Sequence, residues 1–496
     1  MSILVENKEA GQANSKIQRL KQLYKWHRII GLMTVIPVIF WTLSGLMHPF
    51  MAHWFKPEIP KTFLVPRPVP LDKITLEPRE VLETAGLDQI RMIRLVQWNE
   101  GVFYQVESTE GKMIYLDAQT GNRVENGDQA YAEYLARTFL EDQQSPVKSA
   151  SLLTQFDGQY KYINRLLPVW QLDFDREDDM TIYVETSSDR LGTFNPTSRK
   201  AFIWFFSVFH NWSWLEAISS TWVRTTVMLI LLGIIVSSAV SGLVIYGFFW
   251  KRFKSPTPAN SQAILRKYHR QIGLMTAFVT LTFAFSGAYQ ATSKYTPDVL
   301  PEMVEKPLIS TADLGIGLTD LNFPKEALIN FGLVRMDTKT YYQVRQSLGK
   351  DKEATWEYYE TSTGQHLNDG DRVYATYLAN LFESKLGLDL GSELKEEGKE
   401  LTAFDHEYGF VFKRLPVQKL AFDTDSKNTL YIETGTSRLA ASIADSDRAR
   451  GLSFAVLHKY FLLDWAGKNI RDGVMMLSAL GVLVVTLFGL VIFIKR

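Results

Sequence analysis

The chain has no cysteine among its 496 residues. This absence excludes disulfide bonds, iron–sulfur clusters, zinc sites with thiolate ligands and c-type haem attachment. Any bound metal must therefore be held by histidine, methionine, tyrosine or carboxylate side chains. Histidine is also scarce, with eight residues in the whole chain, so each histidine can be considered individually.

The sequence has no excess of charge of either sign. Its 54 Lys and Arg residues balance 54 Asp and Glu residues, and the formal net charge is zero. Proteins that bind nucleic acid carry a basic surface, and we therefore expect no nucleic-acid partner. The length of the chain allows two or more domains.

Four long apolar runs contain no charged residue except near their ends. They cover residues 29–50, 223–249, 271–291 and 474–494. Runs of about 20 apolar residues are long enough to cross a bilayer, so we predict four transmembrane helices in contact with membrane lipid. The first run is too long, and lies too far into the chain, for a cleaved signal peptide.

The Lys and Arg residues that flank these runs predict an orientation. They cluster before the first run, between the second and third runs, and after the fourth. Basic flanking segments stay on the cytoplasmic side. The segments 1–28 and 250–270 and the end of the chain are therefore expected in the cytoplasm, and the polar segments 51–222 and 292–473 on the outer side.

An internal repeat relates the two halves of the sequence. "KWHRIIGLMTVIPVIFWTLSG" at residues 25–45 matches "KYHRQIGLMTAFVTLTFAFSG" at residues 267–287, with ten of 21 positions identical. "TIYVETSSDRLGT" (181–193) likewise matches "TLYIETGTSRLAA" (429–441). We infer a tandem duplication of a unit made of a helix, an outward segment and a second helix. Parallel repeats of this kind pack about a pseudo-twofold axis along the membrane normal.

The two outward segments alternate apolar and polar residues in short bursts, which is typical of strands. We predict strands over residues 91–98, 102–108 and 113–118, and an amphipathic helix over residues 127–142. The predicted fold is a four-helix membrane bundle with two outward-facing α+β domains that contain antiparallel sheet.

Two pairs of histidines occupy matched positions in the repeat. His27 pairs with His269 at the cytoplasmic ends of two runs, and His210 pairs with His458 on the outer side. Two imidazoles at equal depth on symmetry-related helices can bind the two faces of one haem iron. His48, whose counterpart is Gln290, is an alternative outer ligand.

Basic side chains lie beside these histidines. Arg28 and Arg270 follow the inner pair directly, where arginine suits haem propionates. Lys459, Arg224 and Arg471 are candidates for the same role at the outer pair. A boundary histidine can instead hydrogen-bond a carbonyl group, and glycines at matched positions, such as Gly242 and Gly489, can simply allow close helix packing.

At these motifs the chain resembles the PepSY-associated transmembrane family. The resemblance rests on "HRIIGLMTVIPVIFWTLSG", "HRQIGLMTAFVTLTFAFSG" and the paired "YLDAQTGNRVEN" and "YYETSTGQHLND". It implies a bacterial inner-membrane protein linked to iron uptake, with two periplasmic domains. It also implies a dihaem b-type reductase of ferric siderophores or other chelates, with His27, His269, His210 and His458 as the iron ligands.

Some relatives carry a fused flavodoxin/ferredoxin-reductase-like part, whereas this chain ends directly after the fourth apolar run. "DLGIGLTDL" (313–321) is not a full dinucleotide fingerprint. We expect no bound flavin or NAD, and an external electron donor, either a cytoplasmic reductase or a quinol.

Two other function classes compete with this hypothesis. The outward domains can bind peptides or a transport partner without any cofactor, with the helices as anchors only. A transporter is the third class, but four spans without intramembrane charges make a poor substrate path. Repeated Asp157/Tyr160 and Asp405/Tyr408 are candidates for a substrate pocket or, with better support, for turn and core positions.

Overall fold

The computed structural model describes residues 2–53, 58–248, 261–296, 300–347, 354–388 and 398–495. They group into two compact units. The helical unit contains Met1–Lys56, Ser198–Pro297 and Ser446–Arg496, and the sheet unit contains Pro57–Thr197 and Asp298–Asp445. Much of the predicted cytoplasmic loop falls on residues 249–260, outside the described residues.

The described helices and strands follow one another in two similar series. The α-helices are α1 (Ser2–His53), α2 (Pro78–Thr84), α3 (Gly127–Leu140), α4 (Thr197–Phe209), α5 (Ser213–Ala217), α6 (Thr221–Phe248), α7 (Ser261–Thr292), α8 (Gly370–Leu386), α9 (Asp445–Ser453) and α10 (Lys468–Ile494). The strands of the first series are β1 (Gln89–Trp98), β2 (Gly101–Ser108), β3 (Met113–Asp117), β4 (Arg123–Val124), β5 (Val147–Leu153), β6 (Val169–Phe174), β7 (Thr181–Glu185) and β8 (Arg190–Asn195). Those of the second are β9 (Ile309–Ser310), β10 (Leu328–Met336), β11 (Lys339–Gln346), β12 (Thr355–Glu360), β13 (His366–Leu367), β14 (Lys399–Leu401), β15 (Val417–Ala421), β16 (Thr429–Glu433) and β17 (Arg438–Ile443).

The helical unit is a bundle of four long helices. α1, α6, α7 and α10 contain stretches long and apolar enough to cross a membrane. The predicted runs 29–50, 271–291 and 474–494 fall within α1, α7 and α10, and run 223–249 coincides with α6 up to Phe248, its last residue lying outside the described residues. Each of these helices packs on two neighbours. α1 and α7 both contact α6 and α10. All four helices contribute to one interior cluster: Val38, Leu232, Ile235, Ala284 and Val482.

In the described part of the sheet unit, the strands form four antiparallel sheets. Their strand orders are β4-β3-β2-β1-β9, β5-β6-β7-β8, β10-β11-β12-β13 and β14-β15-β16-β17. Helix α3 packs on β3, β6 and β7, and helix α8 packs on β12 and on β15 to β17. The predicted strands over residues 91–98, 102–108 and 113–118 and the helix over residues 127–142 are confirmed by β1, β2, β3 and α3, so the α+β class is observed.

The two segments predicted to face outward contribute to one core. Strand β9, from the second segment, pairs with β1 of the first through Gln89↔Ser310 and Ile90↔Ile309. The Leu95 amide donates to the Asn330 side-chain oxygen at 3.0 Å. One hydrophobic cluster includes buried residues of β1 to β3 and of β10 to β12. The larger parts of the two segments predicted as separate domains, 57–197 and 298–445, therefore form a single compact unit, and the remaining ends of these segments belong to the helical unit.

The repeated Asp-x-x-Tyr motifs are turn and core positions. The Asp157 carboxylate accepts the amide of Tyr160 at 2.6 Å, and Asp405 accepts that of Tyr408 at the same distance. Both tyrosine side chains are fully buried. Each hydroxyl donates to a backbone carbonyl six residues further along the chain. These contacts explain the repetition of the motif without a substrate.

Candidate cofactor site

His27 lies on α1 and faces α6. Its Nδ1 is 2.9 Å from the Ser241 hydroxyl, which itself donates to the Ser238 carbonyl at 2.9 Å. A hydroxyl has one proton, so this serine accepts its bond from His27. The hydrogen-bond network thus assigns the proton to Nδ1 and leaves the Nε2 lone pair available.

His269 repeats this arrangement on α7 against α10. Its Nδ1 lies 3.0 Å from the Val485 carbonyl oxygen, which can only accept. Val485 precedes Gly489 by four residues, as Ser238 precedes Gly242. The two inner histidines therefore carry the same tautomer, each held by the helix that follows it in its own half of the chain.

Two glycines make room for the inner imidazoles. A Cβ atom added to Gly242 would lie 3.2 Å from the His27 Cε1 atom, and one added to Gly489 would lie 3.2 Å from the corresponding atom of His269. This separation is tighter than an ordinary van der Waals contact. The matched glycines thus seat the histidine rings directly on the helix backbone.

The outer histidines are oriented by serines of the bundle. His210 Nδ1 is 3.0 Å from the Ser44 hydroxyl, and His458 Nδ1 is 3.1 Å from the Ser286 hydroxyl. Each serine donates to the carbonyl four residues before it, at 2.6 and 2.7 Å. Both serines must accept from the imidazole, so Nδ1 again carries the proton.

Aromatic rings support the outer imidazoles. Phe206 stacks on His210 with a centroid distance of 4.3 Å, and Phe454 stacks on His458 at 4.8 Å. His458 ends a π-helical turn, Phe454–His458, a feature common at functional sites. Stacking and the Nδ1 bond together restrict ring rotation.

Both outer imidazoles stay neutral at physiological pH. Burial is the main cause that lowers the pKa of His210 to about 3, and the neighbouring His458 and Lys459 lower it further. Burial, followed by the charge of Lys459, lowers the pKa of His458 to about 4. A neutral imidazole is the form that binds a metal.

The structure brings the predicted histidines together in two groups. His27 and His269 lie close enough to interact electrostatically. His210, His458 and His48 form the second such group. The His48 side chain is exposed, and its ring lies 6.4 and 6.2 Å from those of Phe202 and Phe206.

The basic residues proposed for propionates fall into different environments. Arg28 is half-buried, with its guanidinium 5.5 Å from the centre of the Phe493 ring, and Arg270 lies within electrostatic range of His269. Arg224 pairs with Glu216, and Arg471 pairs with Asp464 at 2.5 Å. These two arginines join segments near the outer histidines to the starts of α6 and α10.

Lys459 differs from those two arginines. It follows His458, and burial lowers its pKa although Asp472 opposes this effect. Of the three cations considered for the outer pair, it lies nearest in sequence to a histidine.

The four paired histidines fit the binding of a haem iron. Within the described part of the chain, none of their Nε2 atoms has a hydrogen bond to protein, whereas every Nδ1 has one. Metal-binding histidines have this arrangement, with the second nitrogen donating to a fixed acceptor. Among the described residues, no group of three or more His, Asp or Glu side chains is placed to hold a bare metal ion.

Sequence reasoning missed the groups that orient the rings. Ser44 and Ser286 are among the ten identical positions of the first repeat, and this identity could have identified them. Ser241 corresponds to Phe488 in the second half, and the Val485 carbonyl carries no side-chain signal, so neither could have been inferred.

Fold and site together define a helical membrane protein with paired histidines and an α+β sheet unit. The family model described as PepSY-associated TM region matches residues 94–496. The chain belongs to this family. A comparison with curated proteins found no match.

Proposed function

We propose that the protein is a b-type cytochrome of a bacterial inner membrane. In this role it passes electrons from the cytoplasmic side to a periplasmic ferric siderophore or another ferric chelate, for iron uptake. The observation that carries the proposal is the two pairs of histidines. Each of the four rings is hydrogen-bonded through Nδ1, and among the described residues its Nε2 has no hydrogen-bond partner. Family membership is compatible with this role.

His27 and His269 would hold an inner haem, and His210 and His458 an outer one, with His48 as an alternative outer ligand. Bound haem supplies one-electron transfer. The residues of the chain orient the ligands: the Nδ1 acceptors fix each ring and increase the basicity of Nε2. Arg28 and Arg270 provide positive charge beside the inner pair for propionates.

The proposed topology places both chain ends in the cytoplasm and the sheet unit in the periplasm. The Lys and Arg bias of the flanking segments supports it. Electrons would come from a cytoplasmic reductase or a quinol, because no dinucleotide fingerprint is found in the sequence.

We also infer that the chain arose by tandem duplication. Equivalent contacts in the two halves support this inference. They are His27–Gly242 and His269–Gly489, Ser44–His210 and Ser286–His458, and the hydroxyl bonds Tyr115–Asp128 and Tyr358–Asp371, both at 2.9 Å. Two unrelated halves would not be expected to repeat the same side-chain contacts at corresponding positions.

The proposal is tested by a redox titration of the purified full chain. After reduction with dithionite and removal of the excess, we expect the Soret and α bands of a reduced b-type cytochrome. Ferric citrate or a ferric siderophore should accept the electron, so that the α band disappears and the Soret band shifts to its oxidised position. A colourless protein, produced with haem available, would contradict the proposal and favour a cofactor-free binding role for the sheet unit.

A further inference from the structure

Four arginines of the sheet unit surround one buried carboxylate, Glu433. Arg414 Nη1 lies 2.8 Å from Glu433, and its Nη2 lies 3.0 Å from Glu185. Arg190 also pairs with Glu433. Arg345 and Arg438 lie within electrostatic range of the same carboxylate. We name these four arginines the arginine cluster.

The arginine cluster combines repeated and unrepeated positions. In the matched segments "TIYVETSSDRLG" and "TLYIETGTSRLA", Glu185 corresponds to Glu433 and Arg190 to Arg438. Arg345 instead corresponds to Glu107, which pairs with Lys306. The second half thus adds a positive charge where the first half has a compensated negative one.

Two of these guanidiniums are incompletely satisfied. The Nε atoms of Arg345 and Arg438 are buried and, among the described residues, have no hydrogen-bond partner. The indole nitrogen of Trp356 is in the same condition. Arg345 lies over the Trp356 ring at 5.5 Å, and a Cβ atom on Gly435 would lie 2.7 Å from that ring. The three unpaired donors therefore lie around the turn that follows Glu433.

Charge balance indicates what these donors bind. The four guanidiniums face Glu185 and Glu433, and Arg345 also lies within electrostatic range of Glu400 and Asp189. Asp189 is bonded by Arg94 at 2.8 Å. Positive charge therefore remains in excess, and a buried donor without an acceptor costs about 1 to 3 kcal/mol. An anion with several oxygen atoms would balance the positive charge and accept hydrogen bonds from the unpaired donors.

We propose that the arginine cluster and Trp356 bind a carboxylate-bearing anionic chelate. The planar guanidinium of arginine binds a carboxylate through two parallel hydrogen bonds. The indole N–H of Trp356 supplies a further hydrogen-bond donor. The assignment of a ferric complex rests on the proposed function, whereas the preference for an anion rests on the contacts and charges of the arginine cluster. A cationic or neutral iron complex would not satisfy this cluster.

The test is isothermal titration calorimetry of the detergent-solubilised full chain with gallium(III) citrate, a redox-inert substitute for the ferric complex. We expect Arg345→Gln and Arg438→Gln each to weaken binding about tenfold, the usual loss for a charged hydrogen bond. Trp356→Phe, which keeps the packing, should weaken it about threefold. Arg335→Gln, a partly exposed arginine on the neighbouring strand β10, is the matched control and should bind as the wild type does.

Absence of binding to the wild-type chain, or equal loss in the Arg335→Gln control, would overturn the proposal. The absorption spectrum of the same samples separates the two claims. A haem-containing protein that ignores gallium citrate would refute the anion site alone. A colourless protein that binds it would refute the cytochrome and keep the site.

Discussion

Each paired histidine is fixed by one hydrogen bond whose direction follows from its neighbours. The hydroxyls of Ser44, Ser241 and Ser286 donate their protons to helix carbonyls, so they can only accept from the imidazoles. In a low-dielectric bundle a neutral ring with a set tautomer avoids the cost of a buried charge. At this scale the chain orients four imidazole rings through their Nδ1 atoms, as the proposed haem ligation requires.

Removal of an outer acceptor should loosen cofactor binding. We expect Ser44→Ala and Ser286→Ala each to reduce haem affinity about 10- to 100-fold, the usual effect of deleting such a partner. Transfer of haem to apomyoglobin measures the change. Ser237→Ala is the matched control, since that exposed serine also bonds the carbonyl four residues before it and contacts no histidine. Equal loss in all three variants would contradict a specific role.

The residues of the site were predictable to different degrees. The matched positions of His27 and His269, and of His210 and His458, are visible in the repeat, because a site made of two halves needs a residue in each. The partner of His27 was not predictable, since Ser241 has no equivalent in the second half. A hydrogen bond to a backbone carbonyl, such as that of His269, leaves no trace in the sequence.

Strands β7 and β16 are linked by a buried ion-pair network. Each ends in a buried glutamate, Glu185 or Glu433, and Arg414 joins the two. Burial would raise the pKa of Glu433, but Arg190 and Arg414 outweigh it and hold the value at about 2, below the ordinary 4.5. The carboxylate therefore stays ionised in the folded protein far below neutral pH.

Glu433→Gln should destabilise the sheet unit, because Arg414 and Arg190 lose a buried partner. Loss of one member of a buried ion pair costs about 3 to 5 kcal/mol, measured by chemical denaturation at pH 7. Glu110→Gln, which removes an exposed ion pair with Lys112, is the control and should change little. A stability equal to that of the wild type would contradict the account.

The Glu433 carboxylate should also make the stability of the folded chain depend on pH. Since the folded pKa of Glu433 lies below its ordinary value, its contribution is present above pH 4.5 and is lost as the pH falls toward 2. The wild-type chain should lose stability across this window more steeply than Glu433→Gln does. Parallel curves would show that the carboxylate contributes nothing.

Local alternation predicted the strands of the first segment, because each strand buries one face and its period is visible over a few residues. The shared core was not predictable in the same way. Strand β9 has two residues, Ile309 and Ser310, and its pairing with β1 joins positions more than 200 residues apart. No short-range pattern reports such a contact.

At the scale of the whole molecule, the four apolar helices form a closed ring of neighbours. α1 and α7, which carry the inner histidines, each pack on both α6 and α10. This arrangement suits a site with one ligand from each half of the chain. The family match covers most of the sequence but begins at residue 94, so it leaves α1 and His27 outside.

The absence of cysteine makes the proposed topology directly testable. We expect Glu110→Cys, in an exposed turn of the sheet unit, to react with a membrane-impermeant maleimide in spheroplasts. Ser261→Cys, at the exposed start of α7, should react only after the membrane is permeabilised. Reaction of both positions in intact spheroplasts, or the opposite pattern, would contradict the predicted orientation.

The central claim is that matched histidines of the two halves share a haem, and the haem-to-protein ratio tests it most directly. Pyridine haemochrome assay of the purified chain should give about two haems per chain, and His27→Ala combined with His269→Ala about one. The control, His366→Ala with His406→Ala, changes two exposed histidines of the sheet unit and should keep the wild-type ratio. A wild-type chain without haem, or an unchanged ratio in the His27 and His269 variant, would contradict the account.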